Sequence, residues 1–300
     1  MRTGLSSNWI DDLQQVLSFH FMLNALRAGS AVAVVAGALG YFVVLRRQSF
    51  AAHTLALIGF PGAAGATLVG WNPLVGFFGF CIGGALMIGA LPVSGQTGSS
   101  SDGESSAVIG TVQAFALACG FLFVSLYKGF LSGLNSLLFG TITGITDEQV
   151  LSLFVAGAVC VIVLAAMARP LLFTSIDPAA AAAMGVPVRL ISVGFLLLVG
   201  LAAAGTSQVT GSLLVFALLI APAAAATKLT ARPFVGVLLS IGIALGVTWA
   251  GECIAFFSPY PIGFWVTTLA FTVFLLANLY RGLADRYGAH NPHHRNRTHV

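Results

Sequence analysis

Charge is what this chain has least of. Lys, Arg, Asp and Glu make up 7% of its 300 residues, against about 25% in an ordinary soluble domain. Apolar side chains make up 58% and the mean hydropathy is +0.96, which excludes a water-soluble fold of this length. Cysteine is scarce too: Cys81, Cys119, Cys160 and Cys253 lie in separate apolar stretches without CxxC spacing. That pattern signals neither a zinc site nor a disulfide framework and suits small buried apolar side chains. There is no GxxxxGK(S/T) phosphate loop, so the chain does not carry that nucleotide-binding device itself. No HExxH pair occurs, no two aspartates face each other inside a span, and the histidines outside the C-terminal tail are His20 and His53. An intramembrane protease would need a nucleophile with its base, a zinc pair or paired aspartates.

What is present is a series of continuous apolar stretches. About nine of them, near 28–45, 54–70, 74–91, 108–127, 150–168, 190–206, 212–227, 234–250 and 263–280, approach the roughly 20 residues that cross a bilayer. Continuous runs rather than ten-residue alternation predict helices and not a barrel. The expected fold is therefore an all-α polytopic membrane protein. Threading the chain back and forth puts Arg46, Arg47, Arg169, Arg189, Lys228, Arg232, Arg281, Arg286, Arg295 and Arg297 on one side, and Arg2, Arg27 and Lys128 on the other. By the positive-inside rule the first side is cytoplasmic, with the N-terminus outside and the C-terminus inside. The same asymmetry accounts for the net charge of +4. It gives no continuous basic patch, and nucleic acid is not an expected partner.

Three regions are expected: an outer-face segment over 1–27, a transmembrane domain over 28–280 and a His/Arg-rich cytoplasmic tail over 281–300. The start shows no signal-peptide pattern, and residues 9–27 have the spacing of an interfacial amphipathic helix. Small residues four apart, Gly79 with Gly83, Gly242 with Gly246, and Gly29, Ala33 and Gly37 in the first span, predict close helix packing. No internal repeat supports an inverted-repeat transporter. Residues 92–107 form a Gly/Ser-rich cytoplasmic loop. The outer gap 128–149 contains NSLLFGTITGIT, too short to span, and fits a re-entrant element or an interfacial helix equally well.

The cytoplasmic gap RPLLFTSIDPAAAAAMGVPVR, residues 169–189, carries the densest local signal. Asp177 is an N-cap, Pro178 fits the first helical position, Ala179 to Met184 favour helix, Gly185 closes it with positive φ and Pro187 prevents continuation. Such a helix of about two turns is marginal alone in water and must be held by the spans beneath it or by a docked protein.

Several segments resemble the ABC-3 permeases of bacterial metal importers. GYFVVLRRQSF at 40–50, GFPGAAGATLVGWNP at 59–73, NSLLFGTITGIT at 135–146, IDPAAAAAMGVPVR at 176–189 and TGSLLVFALLIAPAAAATKLTARP at 210–233 are similar to that family's motifs, in its order, from about residue 25 to 280. The resemblance implies a permease subunit of an ATP-binding cassette importer for divalent metal, zinc or manganese and also iron, in a bacterial plasma membrane. It implies a second permease copy or close paralogue, an extracytoplasmic metal-binding protein and cytoplasmic ATPase subunits that use the ATP, with no cofactor bound by this chain. It makes Asp177, Pro178, Ala181, Met184 and Gly185 the coupling helix against the ATPase.

The metal-ligand positions depart from the family pattern. Where the family carries an Asp and, four residues later, a His on one helix face, this chain has His53 and Leu57, and the acid before the last span falls near Pro259. His53 then reads either as an altered pathway ligand or as a histidine capping the second span. Arg27 and Glu252 lie toward outer span ends, where they are expected to snorkel, and Glu252 is a candidate for drawing cations to the outer mouth. His290, His293 and His294, with His299, read as a basic juxtamembrane tail or as a metal-binding cluster. Two other transport readings stand beside the first: a permease for chelated metal, siderophore or cobalamin-like cargo, which a ligand-poor path suits, and an ATPase-independent channel filtered by the 135–146 segment.

Overall fold

Hydrocarbon offers a peptide group no hydrogen-bond partner, and the chain answers with helix at nearly every position. The computed structural model describes residues 18–90, 101–127, 145–210 and 212–289, apart from the side chains at 101–105, 208–210, 212–213, 285 and 287–289. Ten α-helices and no strand occur among the described residues: α1 His20–Leu45, α2 Ser49–Val69, α3 Pro73–Ala90, α4 Ser101–Leu126, α5 Asp147–Ile176, α6 Pro178–Ala183, α7 Val188–Thr210, α8 Ser212–Leu229, α9 Pro233–Phe257 and α10 Ile262–Ala289.

Nine of these coincide with the nine expected spans, and α6 is the expected short connector. Eight of the nine are long and apolar enough to cross a bilayer; α8 is apolar over the shorter stretch Leu214–Leu229. The ends differ from the sequence reading where polar residues continue the helix. α1 starts at His20 rather than 28, so part of the expected outer-face segment belongs to the first span. α5 runs through Pro170 to Ile176 and stops only where Asp177 caps the next helix. Its start is fixed by a capping box, Thr146 Oγ1 accepting from Gln149 N and Gln149 Oε1 accepting from Thr146 N, a motif that satisfies two orphan donors at once.

α1 is the axis of the bundle. Its most apolar stretch is 78% buried, against 11% for α4, and it packs against α5, α7, α8 and α9. α2 adds a second layer by packing on α3, α4, α7 and α8. The main apolar core joins Val32, Leu39, Val43, Leu55, Phe195, Val199, Leu218 and Val247. Two glycines let α1 come close to its neighbours: at Gly40 an added Cβ would overlap the carbonyl of Leu219, and at Gly37 it would strike the backbone of Ile241. Gly79, Gly83, Gly242 and Gly246 differ: among the described residues of this chain nothing lies within 4 Å of a Cβ built at any of them. Spacing alone does not say which face of a helix meets a neighbour.

Side-chain bonds tie the helix ends together at both ends of the bundle. At one end Arg46 donates to α5 and α7, Arg189 Nη2 donates to Ala90 O at 3.1 Å and Arg281 Nη1 to Lys228 O at 3.5 Å. At the other His20 meets Asp147 at 3.3 Å, Asn24 Nδ2 donates to Ile145 O and Trp249 Nε1 to Ser30 Oγ. The described basic residues assigned to one side by threading thus gather at one end.

Gly40→Ala is expected to destabilise the chain, because the clash with Leu219 is with backbone, by about 1–3 kcal/mol. Gly242→Ala should leave stability unchanged or slightly raise it, since helix propensity gains and nothing is struck. Thermal unfolding of the two variants in detergent checks the contrast.

Candidate functional site

The short helix α6 is built from its own sequence. Asp177 sits in extended backbone (φ −139, ψ 90) and its Oδ1 accepts from Ala180 N at 2.8 Å; Pro178 opens the helix where no donor is needed. Gly185 takes φ +80, a value that costs an L side chain energy. Val186 N donates to Ala181 O and Gly185 N to Ala182 O, the paired bonds of a Schellman ending. Ala181 is fully buried against the bundle while Met184 is 75% exposed. The helix thus has one anchored face and one free apolar tip. Ile176 and Leu190, on its two flanks, are also exposed. Asp177, Pro178, Ala181, Met184 and Gly185 therefore lie together in one element at the end of the bundle that carries Arg46 and Arg189.

His53 lies one turn into α2, half-buried, with its ring 4.2 Å from that of Phe216 and its Nδ1 enclosed without a partner. Phe216 also lines an internal cavity between α1, α2, α7 and α8, bounded by Leu39, Ala56, Val199, Thr206 and Leu219. The wall is apolar apart from Thr206, whose hydroxyl donates back to Ala202 O. His53 is thus the ionisable group next to this space through Phe216. Beside it Thr54 Oγ1 donates to Gln113 Oε1 at 2.7 Å, joining α2 to α4.

Glu252 is not where the sequence reading put it. It is 3% exposed, turned inward from α9 onto α1, where its Oε1 occupies the space that Gly29 leaves and its Oε2 has no partner. The sequence predicts an exposed carboxylate at an outer mouth, and the side chain is instead buried against α1. Arg27 is exposed, as expected. His290, His293, His294 and residues 128–144, expected as a re-entrant element or an interfacial helix, lie outside the described residues. Among the described residues no three His, Cys, Asp or Glu come together as a metal-binding group.

Arg46 marks topology in the sequence, and in the structure its guanidinium also holds hydroxyls on both helices that flank α6. The available signal was the cluster Thr174, Ser175 and Ser192 at otherwise apolar span ends.

The model of the ABC 3 transport family matches residues 18–281. The chain is 32% identical to the manganese import system permease protein ScaB of Streptococcus parasanguinis over 220 residues, 73% of this chain and 75% of that protein. It is 30% identical to the chelated iron transport system membrane protein YfeC of Yersinia pestis, covering 92% of each. Among solved structures, PsaBC from Streptococcus pneumoniae in complex with Fab superposes with a TM-score of 0.77 at 26% identity, over 89% of this chain and 94% of that one.

Asp177→Ala is expected to loosen α6 by about 1 kcal/mol through loss of its N-cap, and Asp177→Ser should retain most of it. Hydrogen exchange of the 180–184 amides reads the difference, with roughly fivefold faster exchange in the alanine variant and no change in α1.

Proposed function

This chain belongs to the ABC 3 transport family, and on that premise we propose that it is the membrane permease of an ATP-driven importer of divalent metal, with manganese first among the ions. It is a multi-pass protein of the plasma membrane; the end carrying α6 and the basic residues faces the cytoplasm, which puts the N-terminus outside. The observation that carries the reading is α6 itself: a fully capped two-turn helix with a buried Ala181 and an exposed Met184, inside a chain that matches the family over its membrane domain.

A helix of six residues is too short to persist alone, and an apolar tip 75% exposed suits a partner's cleft. The partner is an ATPase subunit; ATP is bound and hydrolysed there. A second permease copy or paralogue completes the path, and an extracytoplasmic binding protein delivers the metal. Closure of the ATPase pair moves α6, and the bundle passes between discrete packings because packed interfaces are bistable and not continuously deformable.

The ion preference rests on relatives whose names specify manganese. Among the described residues His53 is the ionisable group nearest the α1–α2–α7–α8 cavity, able to meet a passing ion as a borderline nitrogen donor. A sparse path is compatible with conduction, since a cation must also leave. Chelated metal is the second reading: such cargo brings its own ligands, suits an apolar wall and would need this small cavity to widen. The relative named for chelated iron is similar over nearly the whole chain. The tail histidines His290, His293 and His294 are proposed as a cytoplasmic metal-binding cluster, dispensable for transport itself.

Two outcomes test this. Met184→Asp should abolish co-purification of the ATPase or reduce manganese uptake by about tenfold or more, as burying an unpaired charge in an interface does, while the spans keep their thermal stability; uptake and association at wild-type levels would remove α6 from the interface. Glu252→Gln should retain uptake at limiting manganese, because the carboxyl packs on Gly29 rather than facing the path. A large loss there would restore Glu252 as a cation site.

A further inference from the structure

Arg46 ends α1 and is followed by Arg47 in the left-handed region (φ +56), so that three residues turn the chain from α1 into α2. Its side chain spans three separate elements. Nη1 donates to Thr174 Oγ1 at 3.1 Å and to Ser175 Oγ at 3.2 Å, both in the last turn of α5. Nη2 donates to Ser192 Oγ at 2.6 Å in the first turns of α7. Nε points to Gln48 Oε1 at 3.4 Å inside the turn itself. The guanidinium carbon lies 5.8 Å from the centre of the Phe195 ring, a fully buried core residue of α7.

The arrangement has three consequences. First, α5 and α7 are the two helices between which α6 is strung, so one cation fastens both flanks of α6 to the end of α1. Second, these protein acceptors are neutral: hydroxyls and an amide oxygen, with no carboxylate among them. Burial lowers the pKa of Arg46 from the ordinary guanidinium value, but an arginine stays charged throughout the physiological range. Charge-assisted bonds to hydroxyls are strong enough to hold a geometry, yet lack the Coulomb term that would lock it. Third, the turn that Arg46 anchors leads directly into the first turns of α2, where His53 touches Phe216 at the wall of the internal cavity.

We infer that Arg46 is a positioning residue for transport: it transmits displacement of α6 to α2 by holding the α5 and α7 flanks against the α1–α2 turn. The inference rests on the proposed docking of an ATPase at α6. The planar fork is needed because two nitrogens must reach two helices at once, which a lysine ammonium on a single stem cannot reproduce. Thr174 and Ser175 in addition bond back to Leu171 O, so their hydroxyls are pre-set toward the arginine. Transmission through this clamp needs no contact between Arg46 and cargo or nucleotide.

The test uses the permease assembled with its cognate ATPase subunits in proteoliposomes. Two quantities are read: Mn(II) taken up per ATP hydrolysed, and the nucleotide-driven change in labelling of a cysteine introduced by His53→Cys in a background lacking the four native cysteines. In the Arg46→Met and Arg46→Lys complexes, ATPase association and hydrolysis are expected to persist while Mn(II) per ATP falls roughly tenfold, the scale of losing hydrogen bonds to a charged group; the labelling at position 53 should cease to follow nucleotide. A Thr174→Val, Ser175→Ala, Ser192→Ala triple variant keeps the arginine and removes its acceptors on α5 and α7, and should show the same uncoupling, which covers the case in which Arg46 variants fail to fold. Wild-type Mn(II) per ATP, or wild-type nucleotide-dependent labelling, in that triple variant overturns the inference. A complex with native His53 that associates with ATPase but carries no Mn(II) would instead overturn the manganese reading, and the labelling arm would still decide the role of Arg46.

Discussion

A peptide group in hydrocarbon has no water to turn to, and each one left unpaired costs several kcal/mol. Everything else in this molecule follows from meeting that demand. Helices satisfy their own backbone, so the apolar stretches become helices whatever their intrinsic propensities, including the β-branched and glycine-rich ones. The exceptions show the rule: helix ends, where four donors or acceptors are left over, are where the chain spends its few polar side chains. Thr146 and Gln149 close the start of α5, Asp177 the start of α6, Arg189 reaches the last carbonyl of α3, and Arg281 reaches a carbonyl near the end of α8.

The same constraint explains which parts of the structure were legible in the sequence. Spans were readable because their signal is composition over some twenty residues, and α6 because every cap lies within ten residues of sequence. Long-range pairing was not. Glu252 and Gly29 are far apart in the chain, and only the bundle reveals that one fills the space the other leaves. Arg46 meets hydroxyls more than a hundred residues away, so its role had no local pattern. The Gly242 and Gly246 ridge meets no neighbour among the described residues of this chain, because periodicity identifies a face but not what the face meets.

Functionally, the two ends of the bundle are built differently. At the end with α6, bonds run from arginine donors to hydroxyl and carbonyl acceptors across α1, α3, α5, α7, α8 and α10. Among the described residues, the far end is tied by Asn24 to Ile145, Trp249 to Ser30 and an exposed pair, His20 with Asp147, where solvent screens the attraction. Mechanical input into a bundle is delivered effectively where a cation links several elements at once. The proposed ATPase contact through Met184 falls at the linked end, next to the arginine that joins its flanks.

The cavity between α1, α2, α7 and α8 raises the question of how a cation would cross a wall so poor in ligands. A divalent ion loses much of its hydration in any narrow passage, and a wall of Leu39, Ala56, Val199 and Leu219 returns none of that energy. A bare ion could pass only with most of its water retained, or through a path that draws donors from a partner chain as well as from His53. A chelated ion brings its own ligands and would find the same wall indifferent. Selectivity at this step would then come from size and from what the binding protein delivers, and the bundle would need to supply a wide opening more than a specific site. The small residues lining the space, Ala36, Ala52, Ala202 and Ala203, are of a kind that allows such widening, because few side-chain atoms must be displaced when α2 moves relative to α8.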